Sequence, residues 1–414
     1  QNIIFIVNQF NTMKKIFTLL LLTAFLNSYN SQCNGRYENE IFSSVSVSTV
    51  NYCDVYIDGE HEMDIYTPDG DTETSRPVVL YLHGGAFYGG DKLLTDCVDF
   101  CTSMAKKGYV AISANYRLNQ NPVAFIYSQE EQFRTVLKAI SDIKASIRYL
   151  RKDNATGNAL GIDPNAIYVG GYSAGAVLSI HLAYIDQISD MPTSPINVQN
   201  LIANIGGTLE GDGGNVGYSS AVNGVFSFAG AINDLNLIDG NDEPIVSVHG
   251  TADATVSYNC APGLGLPTVL NLCGTGEIHP VADAVGVYNA ALTYQGEGHG
   301  WGGGGNSSPL FIQATDFVTD FLYTLLPCNP NSVASIQENS FVSSIYPNPS
   351  LGLINIESSE PMRSVTLYNS LGKEVFFQSY VENNISIDNL STGIYLIEIR
   401  NQNDKPSFNK VIVQ

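Results

Sequence analysis

Three separated segments of this 414-residue chain hold the residue types that nucleophilic acyl transfer requires. Ser173 stands in "GYSAG" (171–175), after the apolar run "AIYV" and before the helix-compatible "AGAVLSIHLAYI". The G-x-S-x-G spacing suits a sharp strand-to-helix turn, in which small neighbours let the two elements approach and one hydroxyl is left uncovered. A serine hydroxyl is a weak nucleophile near neutral pH, so it needs a base within hydrogen-bond reach and an acid to orient that base. His299 in "GEGHGWGGGG" follows a late strand pattern and is the expected base. Asp253 in "VHGTADATV" follows the strand before it and is the expected acid. Asp242 and Glu243 are fallback acids, although they precede that strand rather than follow it. Of the other histidines, His249 is expected to support the Asp253 turn, His61 and His181 read as ordinary strand or helix residues, and His279 has no identifiable partner.

Acyl transfer also builds negative charge on a substrate oxygen, which calls for preorganised donors. "HGGAFYGGDK" (83–92) leaves an apolar run and offers the backbone N–H groups of Gly84 and Gly85. The N–H of Ala174, immediately after the serine, is the third expected donor. Glycine at 84 and 85 keeps a Cβ out of the path of the incoming oxygen. Ala86, Phe87, Tyr172 and Trp301 flank these groups and are assigned to substrate binding; for Trp301, the single tryptophan, packing is an equal alternative. The glycines after Trp301 are expected to be mobile. No paired CxxC or Cys/His cluster suggests a metal, and the chemistry calls for no cofactor.

The elements that must position these residues alternate. "VSVSTVNYCDVYI" and "HEMDIYTP" show the period of half-buried strands, whereas "RPVVLYLHGGAF" and "YVAISANYRL" are continuous apolar runs of doubly covered strands. Helical spacing covers 93–107, 129–152 and "PLFIQATDFVTDFLYTLL"; the strand series continues with "AIYVGGYS", "VFSFAGAIN", "PIVSVHGTAD" and "LTYQGEGHG". This predicts an α/β fold, a doubly wound, mostly parallel sheet with helices on both faces. Residues 186–223, rich in Gly, Asn and Ser, form either a lid or a long surface loop. Past Leu326 a polar linker (327–342) leads to short strand-like runs without helical pattern, the signature of a small all-β sandwich over 343–414.

Met13–Lys15 followed by the apolar run 16–26 reads as a signal peptide (13–31), with 1–12 as an upstream non-native or read-through segment. The run is too short to span a bilayer, and no later stretch is apolar enough to be a stable membrane span. Export places the chain outside the cell, secreted or at the surface, where disulfides persist. Seven cysteines leave at least one unpaired; Cys260 and Cys273 are the expected local bridge, while Cys97 and Cys101, one helical turn apart, each face a distant partner such as Cys53. With 40 acidic against 19 basic residues and a formal charge of −21, the chain should repel nucleic acid.

"HGGAF…GDK", "NYRL", "GYSAGA", "HGTAD" and "GHGW" resemble the carboxylesterases of the α/β-hydrolase superfamily, near the hormone-sensitive-lipase and feruloyl/acetyl-xylan esterase branches. The order serine, acid, histidine is theirs. The resemblance covers roughly 45–326 within a catalytic domain of 32–326. It implies Ser173 as nucleophile, His299 as base, Asp253 as orienting acid, and Gly84, Gly85 and Ala174 as the oxyanion hole, with His83 supporting that loop. The chain departs from the pattern in having Ala86 where a third glycine is commoner, and in lacking a long N-terminal cap. "IYPNPSLGLINI", "VTLYNSLGKEV", "LSTGIYLIEI" and "KVIVQ" are similar to the C-terminal sorting domain of type IX secretion cargo of Bacteroidetes. That resemblance implies passage through the type IX machinery. The expectation is a secreted serine esterase acting on short-chain, aryl or polymer-linked esters. A prolyl-oligopeptidase-type peptidase and a non-catalytic binding protein on the same fold are the alternatives.

Overall fold

The computed structural model describes Cys33, residues 35–329 and, in the tail, residues 343–413 apart from 347–349, 351, 359–360, 370–372, 380–383, 388, 392 and 403–405. The expected signal peptide, residues 1–12 and most of the expected linker lie outside the described residues. The chain divides into two compact units, Gln1–Val333 and Ala334–Gln414.

The larger unit is built on eight strands: β1 (Val45–Asn51), β2 (Glu62–Pro68), β3 (Arg76–Leu82), β4 (Val110–Ala114), β5 (Ile162–Tyr172), β6 (Gly224–Phe228), β8 (Ile245–Gly250) and β11 (Asn289–Tyr294). Their spatial order is β1-β2-β4-β3-β5-β6-β8-β11. Only the pairs β1·β2 and β2·β4 are antiparallel; from β4 to β11 every pair is parallel. β3 is buried along its whole length, as its unbroken apolar run requires when helices cover both faces. One face packs on the helices Thr95–Lys106 and Pro309–Thr324 through Phe100, Met104, Phe311, Val318 and Leu322. The other carries the helices Gln129–Thr156 and Ala174–Tyr184. The second of these is apolar on every side apart from Ser179 and His181, and it is buried at every position, which suits a helix with no solvent face. A small side sheet orders β7 (Ala231–Ile232), β10 (Asn271–Gly274) and β9 (Cys260–Pro262).

Residues 186–223 hold a short turn, Ile188–Asp190, and a helix, Val198–Ala203, then a glycine-rich stretch fastened by charge. Arg148 Nη1 meets Glu210 Oε2 at 2.5 Å, Arg117 Nη2 meets Asp212 Oδ1 at 2.6 Å, and the Asn215 N–H donates to Asp54 Oδ1 at 2.8 Å. Arg117 lies in "NYRL" and also pairs with the fully buried Asp142. The segment is thereby a packed wall rather than a detached lid.

Cys260 and Cys273 form the expected local disulfide, directly opposite each other across β9 and β10. A second bridge, Cys33–Cys328, ties residues 295 positions apart. The expected pairing of Cys97 or Cys101 with Cys53 is corrected: all three are free and buried. Cys97 and Cys101 point into the core on one face of the sheet and Cys53 into the core on the other, so the sheet itself separates them. Closing a loop of this length restricts the unfolded chain strongly, so Cys33→Ser is expected to cost about 2–5 kcal/mol. Thermal melting of the oxidised protein checks this, and an unchanged Tm would refute it.

The tail unit contains two antiparallel sheets, β12 (Ser343–Tyr346), β13 (Leu353–Ser358) and β16 (Asn384–Ser386) in one, β15 (Glu374–Ser379), β14 (Met362–Tyr368), β17 (Gly393–Asn401) and β18 (Pro406–Val413) in the other. Ile354, Ile356, Val365, Leu367, Ile397, Ile399 and Val411 from both sheets share one core. Tyr395 is buried there and Phe376 packs against it. Phe377 is 58% exposed, because its neighbour on β15 takes the inward side of the alternation.

Candidate active site

β5 ends at Tyr172, and Ser173 follows with φ 57° and ψ −119° before the helix that begins at Ala174. A non-glycine residue there costs about 1–3 kcal/mol and persists only where its surroundings enforce it. The enforcement is visible. A Cβ on Gly171 or Gly175 would lie 2.1 Å or 1.9 Å from the Leu82 carbonyl oxygen, so strand, turn and helix are pressed onto β3. The Ser173 N–H is held by the Phe228 carbonyl at 2.8 Å. The hydroxyl stands at the carboxyl ends of the parallel strands, where open α/β sheets place their ligands.

β8 and β11 pair in parallel with Gly250 opposite Tyr294, so the loops leaving them emerge side by side. Those loops carry Asp253 and His299. His299 Nε2 lies 2.8 Å from Ser173 Oγ, and His299 Nδ1 lies 2.6 Å from Asp253 Oδ2. Only a proton on Nδ1 satisfies the carboxylate, which leaves the Nε2 lone pair facing the serine hydroxyl. Asp253 Oδ1 accepts the N–H groups of Thr255 (2.8 Å) and Val256 (2.9 Å). His249 is fully buried beneath; its Nε2 lies 3.3 Å from Asp253 Oδ2 and 2.9 Å from the Val256 carbonyl. Burial pushes the Asp253 carboxyl up, but the bonds from His249 and His299, the charge of His299 and the Val256 N–H outweigh it and hold the group well below the usual carboxylate range.

The loop 83–92 runs against the serine. A Cβ on Gly84 would stand 3.4 Å from Ser173 Cβ. Ala86 (φ 52°) and Phe87 (φ 64°) adopt left-handed backbone in succession, which is uncommon outside glycine. The Tyr88 and Gly89 N–H groups donate to the Gly85 carbonyl, and the Asn119 N–H to that of Phe87. His83 stacks on Tyr116 at 4.3 Å and its Nδ1 bonds the Gly84 carbonyl at 2.7 Å. Ala174 is the first residue of its helix, where the N–H has no acceptor within the helix.

A cleft opens beside Ser173 and Ala174. Ala86 and Phe87 line it, as do Phe125, Leu137, Val177 and Met191. Tyr172 and Trp301 do not, and their assignment to substrate binding is corrected. Both side chains belong to the core on the opposite side of the sheet, where Trp301 packs on Phe228 and Tyr294 and Tyr172 packs on Trp301. The Tyr172 hydroxyl instead donates to the His299 carbonyl and accepts the Gly302 N–H at 3.3 Å, so it braces the turn that carries the histidine. The glycines after Trp301 are similarly held, with the Asn306 N–H on Asp99 Oδ2 at 2.7 Å. The cleft walls from the helix Gln129–Thr156 escaped the sequence reading, although Phe133, Val136, Leu137 and Ile140 show the helical spacing that could have found them.

The fallback acids lie elsewhere. Asp242 accepts the Asp239 N–H at 2.7 Å, and Glu243 lines a separate cavity with Lys144 and Asp186. Burial, reinforced by Asp186, Asp239 and Glu243, pushes the Asp242 carboxyl up to about 7; burial and Asp186 push Glu243 up to about 7 as well. A carboxyl whose folded pKa exceeds its unfolded value of about 4 favours the fold below that value and loses this advantage as pH rises toward 7. Asp242→Asn is therefore expected to be more stable than the parent at pH 8, by about 1 kcal/mol after allowance for solvent screening. The gain should vanish by pH 4. A melting-temperature difference that does not change with pH would contradict this account.

Residues 63–206 match the family model of the BD-FAE esterase domain, a stretch that holds Ser173 and the 83–92 loop. Residues 344–414 match that of the secretion system C-terminal sorting domain. Among solved structures, the chain is similar to a truncated form of a carbohydrate esterase from gut microbiota, with 21% identity over 68% of this chain and 96% of that one and a TM-score of 0.50. It is also similar to Thermogutta terrifontis esterase 2 phosphorylated by paraoxon, with 19% identity over 69% and 95% of the two chains and a TM-score of 0.48. The comparison with curated proteins found no match. The larger unit thus holds a stretch that matches the BD-FAE family model on a fold of the α/β-hydrolase type, which supports a carboxylic ester hydrolase, and residues 344–414 match a sorting domain of type IX secretion.

Proposed function

We propose that the chain is an exported serine esterase that works through an acyl-enzyme on Ser173. The observation that carries this reading is the run of contacts from Asp253 through His299 to Ser173, 2.6 Å and 2.8 Å, ending at the mouth of an apolar cleft. Ser173 Oγ attacks the ester carbonyl carbon while its proton passes to His299 Nε2. The resulting imidazolium is stabilised by the Asp253 carboxylate. The oxyanion is received by the N–H groups of Gly84, Gly85 and Ala174. When the carbon–oxygen bond to the alcohol breaks, His299 returns the proton to the leaving oxygen. Water then loses a proton to His299 and attacks the acyl carbon; as the bond from that carbon to Ser173 Oγ breaks, His299 returns the proton to Oγ and the carboxylic acid leaves.

Substrates are short-chain, aryl or polymer-linked esters, such as acetyl or feruloyl groups on polysaccharide, or polyesters. A carbohydrate esterase among the similar structures agrees with the first of these, and the apolar lining of the cleft with the aryl class. The sorting domain agrees with delivery outside the cell, where polymers must be met. A fluorophosphonate probe tests the mechanism on the intact protein. Labelling should be stoichiometric and confined to the peptide carrying Ser173; modification elsewhere, or none, would overturn the assignment.

A further inference from the structure

One polar side chain interrupts the apolar face that the helix Gln129–Thr156 turns to the cleft. Gln132 precedes Val136 and Ile140 by about one and two helical turns, and all three line the cleft. Gln132 is 3% exposed. An amide buried on an apolar face is costly unless it is hydrogen-bonded. Here both ends are bonded. Nε2 donates to the carbonyls of Phe125 at 2.8 Å and Thr268 at 3.3 Å, and Oε1 accepts the Leu270 N–H at 2.9 Å. Two carbonyls facing one end and an N–H facing the other fix which end is nitrogen.

Thr268 and Leu270 belong to the arm that the Cys260–Cys273 disulfide closes. At the base of the arm β9 and β10 pair, from Cys260 opposite Cys273 to Pro262 opposite Asn271. Past Pro262 the ladder stops, and the tip, 263–270, bonds largely to itself. The Leu270 carbonyl accepts the Gly263 N–H at 3.0 Å, and the Leu266 carbonyl accepts that of Val269 at 2.9 Å. The tip is tied to the rest of the unit by the Leu264 N–H on the Thr255 carbonyl, at 2.7 Å, and by the two bonds to Gln132. This arm supplies Leu264, Val269, Leu270 and Leu272 to the cleft. A tip without a ladder opens readily unless something fastens it.

We infer that Gln132 is a positioning residue, whose amide pins the tip of the 260–273 arm and so sets how tightly the cleft holds a group larger than acetyl. The inference rests on the esterase reading above and concerns the grip of the cleft, not the chemistry of Ser173. An amide suits the task because it donates to two carbonyls and accepts an N–H at once. A carboxylate of the same shape cannot donate, and leucine can do neither. Phe125 also lines the cleft, so one side chain joins the helix Pro122–Tyr127 to the arm. A loosened tip lets Leu264 and Val269 withdraw and water enter, which penalises a long chain more than an acetyl group.

The experiment uses two pairs of esters, p-nitrophenyl acetate with p-nitrophenyl hexanoate, and ethyl acetate with hexyl acetate. In at least one pair Gln132→Leu should lower kcat/KM for the long member about tenfold more than for the short one, mainly through KM. Direct contact with substrate predicts the opposite sign, because leucine adds hydrocarbon to an apolar wall and favours the long chain. Gln132→Glu keeps the size and the acceptor for Leu270, and at pH 8 it should share the loss. Cys260→Ser with Cys273→Ser frees the base of the arm without altering a side chain that lines the cleft, and it should act in the same direction. Hydrogen exchange on the parent needs no variant: the Leu264 and Leu270 amides should be protected, and in Gln132→Leu the 263–270 segment should exchange at least tenfold faster while the helix Ala174–Tyr184 is unchanged. Equal losses for long and short esters, a gain for the long ones, or free-peptide exchange of the Leu270 amide in the parent overturns the role of Gln132 while the esterase reading stands. Failure of the parent to hydrolyse any of the four esters would count against the esterase reading itself, and exchange alone would then decide whether Gln132 holds the arm.

Discussion

Ser173→Ala is expected to lower kcat for p-nitrophenyl acetate by about a million-fold, the scale on which a serine triad fails when its nucleophile is removed. His299 would keep its bond to Asp253 but lose the hydroxyl 2.8 Å from Nε2. No other nucleophile is presented at that point: among the residues lining the cleft, the remaining hydroxyl belongs to Thr255 in the acid loop. What survives should be the thousand-fold or so over water that binding and the oxyanion donors supply on their own. The fold should not suffer. Alanine fits the backbone angles as well as serine does, and the Ser173 N–H bond to Phe228 is unaffected. The Tm should therefore equal that of the parent or exceed it. Turnover within tenfold of the parent, with the protein folded, would end the assignment of Ser173 as nucleophile.

The same serine shows why part of this site can be read from sequence and part cannot. Gly171 and Gly175 are dictated locally, since each lies against the Leu82 carbonyl with no room for a Cβ. A constraint that acts within five residues leaves its mark as a motif. Asp253 and His299 are legible for a related reason: each follows its strand directly, and parallel strands bring their ends to one edge. Cys260 and Cys273 face each other across a short antiparallel pair, so proximity in sequence is proximity in space.

Proximity misleads at a turn. Tyr172 adjoins Ser173 and Trp301 lies two residues from His299, yet both side chains point to the far side of the sheet from the cleft. Tyr172 closes β5 and faces away from the turn residue that follows it, and the tight helical turn His299–Trp301 carries its first and third residues to different sides. The wall contributed by Phe125, Leu137 and Met191 comes from segments that carry only generic apolar spacing, and nothing local records which apolar surface they meet. Cys33 and Cys328 are joined across nearly the whole larger unit, a pairing that follows from tertiary packing alone. His181 read as an ordinary helix residue because its partner Asn233 lies 52 residues away, just past β7.

Asp253→Asn should reduce kcat/KM about ten-thousand-fold, although it exchanges one oxygen for a nitrogen. The surroundings fix how the new amide must sit. The Thr255 and Val256 N–H groups both point at Oδ1, so the amide oxygen is retained on that side. Its NH2 is then turned toward the position of Oδ2, 2.6 Å from His299 Nδ1 and 3.3 Å from His249 Nε2. A donor facing Nδ1 demands a lone pair there. His299 must move its proton to Nε2, and a protonated Nε2 cannot accept the hydrogen of Ser173. A second readout separates this from simple loss of structure. The Asp253 carboxyl is held below its unfolded value of about 4, so its contribution to stability is complete above that pH and fades as pH falls toward the folded value. The parent should melt above the variant at pH 7, and the gap should narrow below pH 4. Asp242→Asn, altered outside the cleft, should retain turnover. If Asp253→Asn kept activity within tenfold while Asp242→Asn lost it, the acid of this site would have been placed on the wrong loop.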